Sequence, residues 1–207
     1  MEKLTATFHL DELYHLAMEN VGQTDTNTSD LSAEEQELLS IILHYSEQAK
    51  AVLTVLTKSL VYKVLHPKQD VRKHQASIVG GYSGRTFYSR NITPFMKAHK
   101  FPSMSESGWL TRALEQKIPY DLNYSGAITP KELKPDFLYL LDRVEKGADC
   151  EKYLKFVLQG LIIKRNLQMI DLAEPTTLSI SAILALLFEH FNGSYNAEGA
   201  SRLPALA

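Results

Sequence analysis

The chain has 207 residues, of which 44% are hydrophobic and 22% are charged, and its formal net charge at pH 7 is −2. This composition is typical of an ordinary soluble globular protein. The single cysteine, Cys150, excludes an internal disulfide and a cysteine-cluster metal site, and no apolar run or basic amino-terminal segment indicates a membrane span or a signal peptide. We therefore expect a cytoplasmic protein without a membrane partner.

The first third of the chain predicts helices. A short helix is expected at about residues 9 to 21, followed by the polar linker GQTDTNTSD at residues 22 to 30. Ser32 and Glu35 have the spacing of a capping box, and apolar residues then recur every three or four positions as far as Val64. This pattern predicts one long helix, or two helices with a bend, before His66-Pro67.

The pattern changes at Pro67, where a short basic helix extending to about residue 75 is expected. Three glycines, Gly80, Gly81 and Gly84, then predict a turn. The following stretch, RTFYSRNITPFMKAH, predicts a second helix that is kinked or interrupted at Pro94. Its candidate buried residues are Phe87, Ile92, Phe95 and Met96.

The remainder of the chain predicts further helices at residues 107–116, 130–146, 150–168 and 177–191, with a small hairpin around residues 118–128. The expected fold class is all-α. We divide the chain into an amino-terminal helical region at 1–66, a basic region at 67–128 and a carboxy-terminal helical core at 129–207, within one compact domain overall.

Charge is distributed unevenly along the sequence. Residues 1–62 carry ten acidic and three basic residues, whereas residues 63–100 carry eight basic residues and one acidic residue, Asp70. Clustered Lys and Arg favour a polyanionic partner such as duplex DNA. The alternative interpretation is a solvated basic face without a partner.

A basic helix, a glycine turn and a second basic helix together predict a helix-turn-helix-like element around residues 68–99. Arg85, Arg90 and Asn91 would read bases, because Arg and Asn can form paired hydrogen bonds with guanine and adenine edges. The full set of expected DNA contacts is Lys68, Arg72, Lys73, Ser83, Arg85, Thr86, Tyr88, Ser89, Arg90, Asn91 and Lys97. The alternative is that the aromatic residues of this region are core residues and that its arginines pair with the acidic first helices.

Catalytic motifs are scarce. The sequence contains no HExxH, GxSxG, Walker, CxxC or GxGxxG pattern, and its histidines are scattered. Glu115-Gln116-Lys117 matches the second half of a D…E-x-K nuclease site. With such a site the chain would be a complete small Mg²⁺-dependent nuclease. The motif lies at the end of a predicted helix, however, and a solvated helix end is the simpler interpretation. We assign no catalytic or metal-binding residue.

One long stretch, GGYSGRTFYSRNITPFMKAHKFPSMSESGWLTRALEQ, and a second at the end of the chain, YNAEGASRLPALA, resemble the amino-terminal half of a group of bacterial type II restriction endonucleases. The resemblance covers about residues 77–119 and 195–207. It implies sequence-specific recognition of double-stranded DNA within a restriction–modification system.

In that group a nuclease domain with the D…E-x-K metal site follows the second patch. Since this chain ends at Ala207, we expect a truncated recognition part without the nuclease domain, and Mg²⁺ as a cofactor of the full-length enzyme alone. Two-fold recognition of DNA would predict a homodimer. The rival hypothesis is a helical protein–protein interaction module that binds no nucleic acid.

Overall fold

The computed structural model describes residues 2–21, 31–104 and 119–168, together with the single residues 181 and 184. Residues 1–168 form one compact unit, and residues 169–207 form a second. The linker at 22–30, the helix predicted at 107–116, the Glu115–Lys117 motif and the patch at 195–207 lie outside the described residues. So does most of the predicted last helix, of which Ser181 and Leu184 are described, both as helical.

The described residues form helices, turns and irregular backbone, and none forms a β-strand, which confirms the all-α class. The α-helices are α1 (Glu2–Val21), α2 (Ala33–His44), α3 (Lys50–Leu65), α4 (Gly84–Phe87), α5 (Thr93–Ala98), α6 (Lys134–Glu145) and α7 (Cys150–Gln168). A π-helical turn, Tyr88–Ile92, joins α4 to α5, and a 3₁₀ turn, Lys131–Leu133, precedes α6. No helix among these residues is long and apolar enough to cross a bilayer.

The predicted long helix is two helices, and its capping box is formed as expected. The Ser32 hydroxyl accepts a hydrogen bond from the Glu35 amide at 3.3 Å, and the Glu35 carboxylate accepts one from the Ser32 amide at 3.0 Å. The break after His44 is stabilised from α7, because Nζ of Lys164 donates to the carbonyl oxygens of Leu43 and His44 at 2.8 and 3.1 Å. A lysine on another helix thus satisfies carbonyl groups that the end of α2 leaves without an intrahelical partner.

Helix α3 lies at the centre of the fold. All ten residues from Val52 to Val61 are buried, and the helix contacts α1, α2, α6 and α7 as well as α4 and the π-helical turn. Apolar residues occur on all sides of this helix and it has no continuous polar face, as expected for a helix that is covered on every side. The polar residues on this stretch, Thr54, Thr57, Lys58 and Ser59, are therefore buried too.

Two predicted elements are wrong. Residues 67–83 form a succession of turns, so the short basic helix expected after Pro67 is absent and the helix-turn-helix element is not formed. Backbone groups that a helix would use locally are instead bonded at a distance: the Lys73 and His74 carbonyls accept from the Tyr82 and Gly84 amides, both at 3.0 Å.

The hairpin predicted at 118–128 is the second wrong element, since its described part, from residue 119 onward, is made of turns and irregular backbone. The Asp121 side chain accepts a hydrogen bond from the Asn123 amide at 2.9 Å, and its carbonyl accepts one from the Tyr124 amide at 3.0 Å. Both bonds close a local turn in place of strand pairing. The Tyr120 amide instead bonds the Arg72 carbonyl at 3.1 Å.

The second helix of the basic region is confirmed, because residues 84–98 are continuously helical. Pro94 occupies the first turn of α5, directly after the π-helical turn, where a residue without an N–H group interrupts the regular hydrogen-bond pattern. The four residues predicted to be buried, Phe87, Ile92, Phe95 and Met96, are buried. They hold this helix against the rest of the unit.

Candidate nucleic-acid interface

The exposed side of residues 84–98, with Ser83 before it, carries hydroxyl and basic side chains. Ser83, Thr86, Arg90 and Lys97 are exposed, and Arg85 and Ser89 are half-buried beside them. We call these six residues the basic face. The sequence contains no Asp or Glu from Val71 to Ser105, so no carboxylate of this stretch reduces the positive potential of the face.

Two local hydrogen bonds order the hydroxyl groups of the basic face. The Ser83 hydroxyl donates to Oγ1 of Thr86 at 2.8 Å, and the Ser89 hydroxyl donates to the Arg85 carbonyl at 3.0 Å. Each hydroxyl oxygen retains lone pairs, and the Thr86 hydroxyl retains its proton for a further acceptor. Such an array suits phosphate oxygens, which accept from Ser, Thr, Arg and Lys.

Tyr88 and Asn91, both expected to contact DNA, are core residues in this structure. The Tyr88 side chain is fully buried, and its hydroxyl oxygen accepts from the Met104 amide at 3.2 Å and from the Thr54 hydroxyl at 3.4 Å. Asn91 is 5% exposed and donates from Nδ2 to the Phe87 carbonyl at 2.9 Å. The Tyr88 hydroxyl therefore joins this helix to α3 and to Met104, the Asn91 amide bonds within the helix, and neither side chain faces solvent.

Arg72 also has an internal role. Its guanidinium lies 3.0 Å from the Asp70 carboxylate and 3.3 Å from that of Asp142 on α6. The hydrogen bond with Asp70 raises the pKa of Arg72 further above its ordinary value. Lys63, another basic residue of the stretch 63–100, also has an internal partner, because its Nζ lies 2.9 Å from the Glu145 carboxylate.

The two remaining expected contacts, Lys68 and Lys73, lie in the turn segment at 67–83. Lys68 is exposed and Lys73 is half-buried, with its Nζ beside Gly80. Of the eleven residues that the sequence indicated, the structure thus brings six together on one helix and its preceding residue, buries two, pairs one with carboxylates and leaves two on the turns.

Beneath the start of this helix lies a cluster that the sequence reasoning missed. Lys58 of α3 is fully buried, and its Nζ donates to the Tyr82 hydroxyl at 2.5 Å and lies 4.8 Å from the centroid of the same ring. Burial lowers the pKa of Lys58 from an ordinary 10.5 to about 7. The sequence signal was present, since Lys58 is the one charged residue between Ala51 and Tyr62 in a stretch that is otherwise uncharged and mostly apolar.

Stacked rings surround this lysine. Tyr82 stacks on Tyr62 with centroids 3.9 Å apart, and His74 stacks on Tyr120 at 3.9 Å. Burial lowers the pKa of His74 to about 3, with the nearby Lys58 as a further cause, and burial raises the pKa of Tyr82. His74 and Tyr82 are therefore uncharged near neutral pH.

The described residues show little chemistry of other kinds. They contain no group of three His, Cys, Asp or Glu residues placed to hold a metal ion. Cys150 is buried, and burial raises the pKa of its thiol to about 11, which disfavours the thiolate that a nucleophile requires.

Comparisons with known proteins identify no relative of this chain. No family model matches it, and neither a curated protein nor a solved structure is detectably similar to it. The functional assignment therefore depends on the residues described above.

Proposed function

We propose that this chain binds double-stranded DNA through the basic face. The observation that carries the proposal is that an exposed helix side presents Arg90, Lys97 and several hydroxyl groups within a stretch that has no carboxylate. Duplex DNA carries about one negative charge per 1.7 Å of axis, and clustered bases gain affinity by releasing counterions from it.

The dimensions of the helix suit a DNA groove. From Ser83 to Lys97 it extends about 21 Å at 1.5 Å per residue, and an α-helix fits the major groove. Thr86, Arg90 and Lys97 follow one another at spacings that keep them on the solvent side. With no partner helix at 67–83, one helix would dock on its own.

Roles within the basic face follow from side-chain chemistry. Arg90 is exposed and can form a bidentate contact with guanine, so we assign it to base recognition, with Arg85 beside it. Ser83, Thr86 and Lys97 would contact phosphates, which position the protein without reading sequence. Tyr88 and Asn91 are left out of this assignment because they are buried.

The resemblance of residues 77–119 to type II restriction endonucleases supports a narrower form of the proposal. In that form the chain recognises a specific duplex sequence as the recognition part of such an enzyme, and cleavage with Mg²⁺ belongs to a nuclease domain. A helical protein–protein interaction module is the competing function.

A selection experiment tests the assignment of Arg90. Duplexes that bind the wild-type chain would be enriched from a random pool, and binding of the selected and random duplexes would then be compared for Arg90→Ala and Lys97→Ala. Arg90→Ala should weaken the selected duplex by roughly 1–3 kcal/mol more than random DNA, whereas Lys97→Ala should weaken both equally. Equal losses for Arg90→Ala on both duplexes contradict base recognition by this residue.

A further inference from the structure

The amine of Lys58 lies directly beneath the residue that begins the basic helix. A Cβ atom placed on Gly84 would lie 3.1 Å from Nζ of Lys58 and 3.0 Å from the His74 carbonyl oxygen. These distances are shorter than most contacts of a real Cβ atom, so the backbone of Gly84 packs closely against this side of the amine. The water shell of an ammonium ion needs more room around Nζ than this packing leaves, which favours displacement of the start of the helix.

The same amine is linked to the turn segment. Nζ of Lys58 donates to the Tyr82 hydroxyl, which in turn donates to the Val71 carbonyl at 3.3 Å. The Gly84 amide donates to the His74 carbonyl at 3.0 Å, and this bond joins the turn segment to the first residue of α4. The position of the basic helix and the environment of Lys58 therefore depend on each other.

We propose that Lys58 is a positioning residue for the basic face: the uncharged amine lets residues 84–98 seat against α3, and protonation of that amine loosens the seat and weakens DNA binding. This inference rests on the proposed function and adds a mode of regulation by pH to it.

Among the residues that the structure describes, the other titratable or charged groups around Lys58 and its partner Tyr82 are already in one state or engaged. They are Tyr62 on α3, Asp70, His74 and Tyr82 on the turn segment, Tyr120 on the loop before α6, and Glu145 on α6. His74 stays neutral down to about pH 3, Glu145 pairs with Lys63, and Asp70 pairs with Arg72. With the pKa of Lys58 at about 7, the lysine is the member of the cluster that titrates in the physiological range.

The expected pH dependence has an unusual sign. Lowering the pH protonates histidines and adds positive charge, which tightens most protein–DNA complexes. Here the affinity should fall instead: because the pKa of Lys58 is about 7 with the helix seated and 10.5 ordinarily, lowering the pH between these values favours release of the helix, and the apparent Kd should rise by up to about tenfold per pH unit.

The experiment measures Kd for a random-sequence duplex by fluorescence anisotropy at constant ionic strength, between about pH 6 and about pH 9.5. The variant Lys58→Met replaces the amine by an apolar chain of similar length and should remove the loss of affinity at low pH. Lys131→Met is the matched control, because Lys131 is exposed on the 3₁₀ turn, and it should retain the wild-type profile. An identical pH profile in wild type and Lys58→Met overturns the proposal.

A second readout separates this inference from DNA binding itself. The NMR signal of the Lys58 side chain should titrate well below 10.5, and hydrogen exchange of residues 84–98 in the wild type should accelerate relative to Lys58→Met at the same pH as the pH falls from about 9.5 to about 7. This result without any DNA binding would contradict the proposed function and leave the positioning role standing. A Lys58 titration near 10.5, or exchange in residues 84–98 that follows only the intrinsic pH dependence, would overturn the positioning role even if DNA binds.

Should Lys58→Met fail to fold, the wild-type NMR titration and exchange profile decide the matter without the variant.

Discussion

The guanidinium of Arg72 lies 3.3 Å from Oδ1 of Asp142 and joins the turn segment at 67–83 to helix α6. The Asp142 side chain is 9% exposed, and its other oxygen lies 2.7 Å from Nζ of Lys146. A residue whose sequence context indicates DNA contact thus contributes to folding, because a nearly buried carboxylate requires a cationic partner.

Substitution of Arg72 should therefore act on stability. Arg72→Ala leaves Asp142 with one fewer partner and should lower the free energy of unfolding by about 1–3 kcal/mol, measured by urea denaturation followed by circular dichroism. Lys68→Ala is the control, since Lys68 is exposed and its loss should change stability by less than about 0.5 kcal/mol. Unchanged stability of Arg72→Ala, combined with weaker DNA binding, would return Arg72 to the interface.

Two lysines of α3, Lys58 and Lys63, should respond in opposite directions to the same substitution. Lys58→Met removes a buried amine and should raise the free energy of unfolding near pH 7 by roughly 2–5 kcal/mol, given 1.36 kcal/mol per unit of pKa shift. Lys63→Met breaks the 2.9 Å pair with Glu145 and should lower it by about 1–3 kcal/mol. Two losses of similar size would contradict the account of the Lys58 environment.

The pH dependence of the wild-type stability should show the same lysine. The folded-state pKa of Lys58, about 7, lies below its ordinary value of 10.5, so between these values the folded state binds fewer protons than the unfolded state. The free energy of unfolding should then rise with pH across this window. Denaturation series at several pH values should show this slope in the wild type, reduced in Lys58→Met.

Glu35 should govern part of the acid denaturation. Hydrogen bonds from Tyr153 at 2.7 Å, from the Ser32 amide at 3.0 Å and from Arg143 at 3.1 Å hold the pKa of Glu35 at about 2, against an ordinary 4.5. Its stabilising contribution is present above about pH 4.5 and is lost as the pH falls towards 2.

Glu35→Gln should therefore flatten the decline in the free energy of unfolding across that range. The neighbouring, exposed Glu34→Gln should keep the wild-type slope, and denaturation curves at several acidic pH values provide the comparison. Identical slopes in the wild type and in Glu35→Gln would contradict the role of the three hydrogen bonds.

Gly81 should tolerate no side chain. A Cβ atom at this position would lie 2.0 Å from the Gln75 carbonyl oxygen and 2.9 Å from those of Lys73 and Ile78, and these backbone atoms cannot move aside cheaply. Gly81→Ala should cost about 1–3 kcal/mol or more in thermal or urea denaturation, whereas Ser77→Ala in the same turn, at an exposed position, should change stability little. Wild-type stability of Gly81→Ala would show that the turn segment is built differently.

Helix positions were predictable where the apolar spacing was regular. The capping box at Ser32 and the helices at 134–145 and 150–168 agree with the sequence, because local propensity and burial favour the same structure there. The turn segment was not predictable, since its backbone groups bond residues such as Tyr120, which is distant in sequence. Periodicity carries no information about such pairs.

The basic face was predictable in part, for a similar reason. Charge counting located Arg90 and Lys97, but it could not distinguish them from Arg72, whose partner Asp142 lies seventy residues away. Helical periodicity already placed Phe87 and Ile92 in the core, and Tyr88 and Asn91 adjoin them, so their burial was within reach of the sequence. A polar side chain beside apolar core positions is a candidate for internal hydrogen bonding before it is a candidate for DNA contact.

The most direct test of the central claim is the salt dependence of binding to a random-sequence duplex, without divalent metal, for the wild type, for the double variant Arg90→Ala/Lys97→Ala and for Lys131→Ala. A plot of log K against log salt concentration should be linear with a negative slope for the wild type. In the double variant the magnitude of this slope should be smaller by about 2, roughly one unit for each lost positive charge. Lys131→Ala should leave the slope unchanged. Absence of binding at low salt, or equal slopes for the wild type and the double variant, would contradict the claim that residues 83–97 form the DNA-binding face.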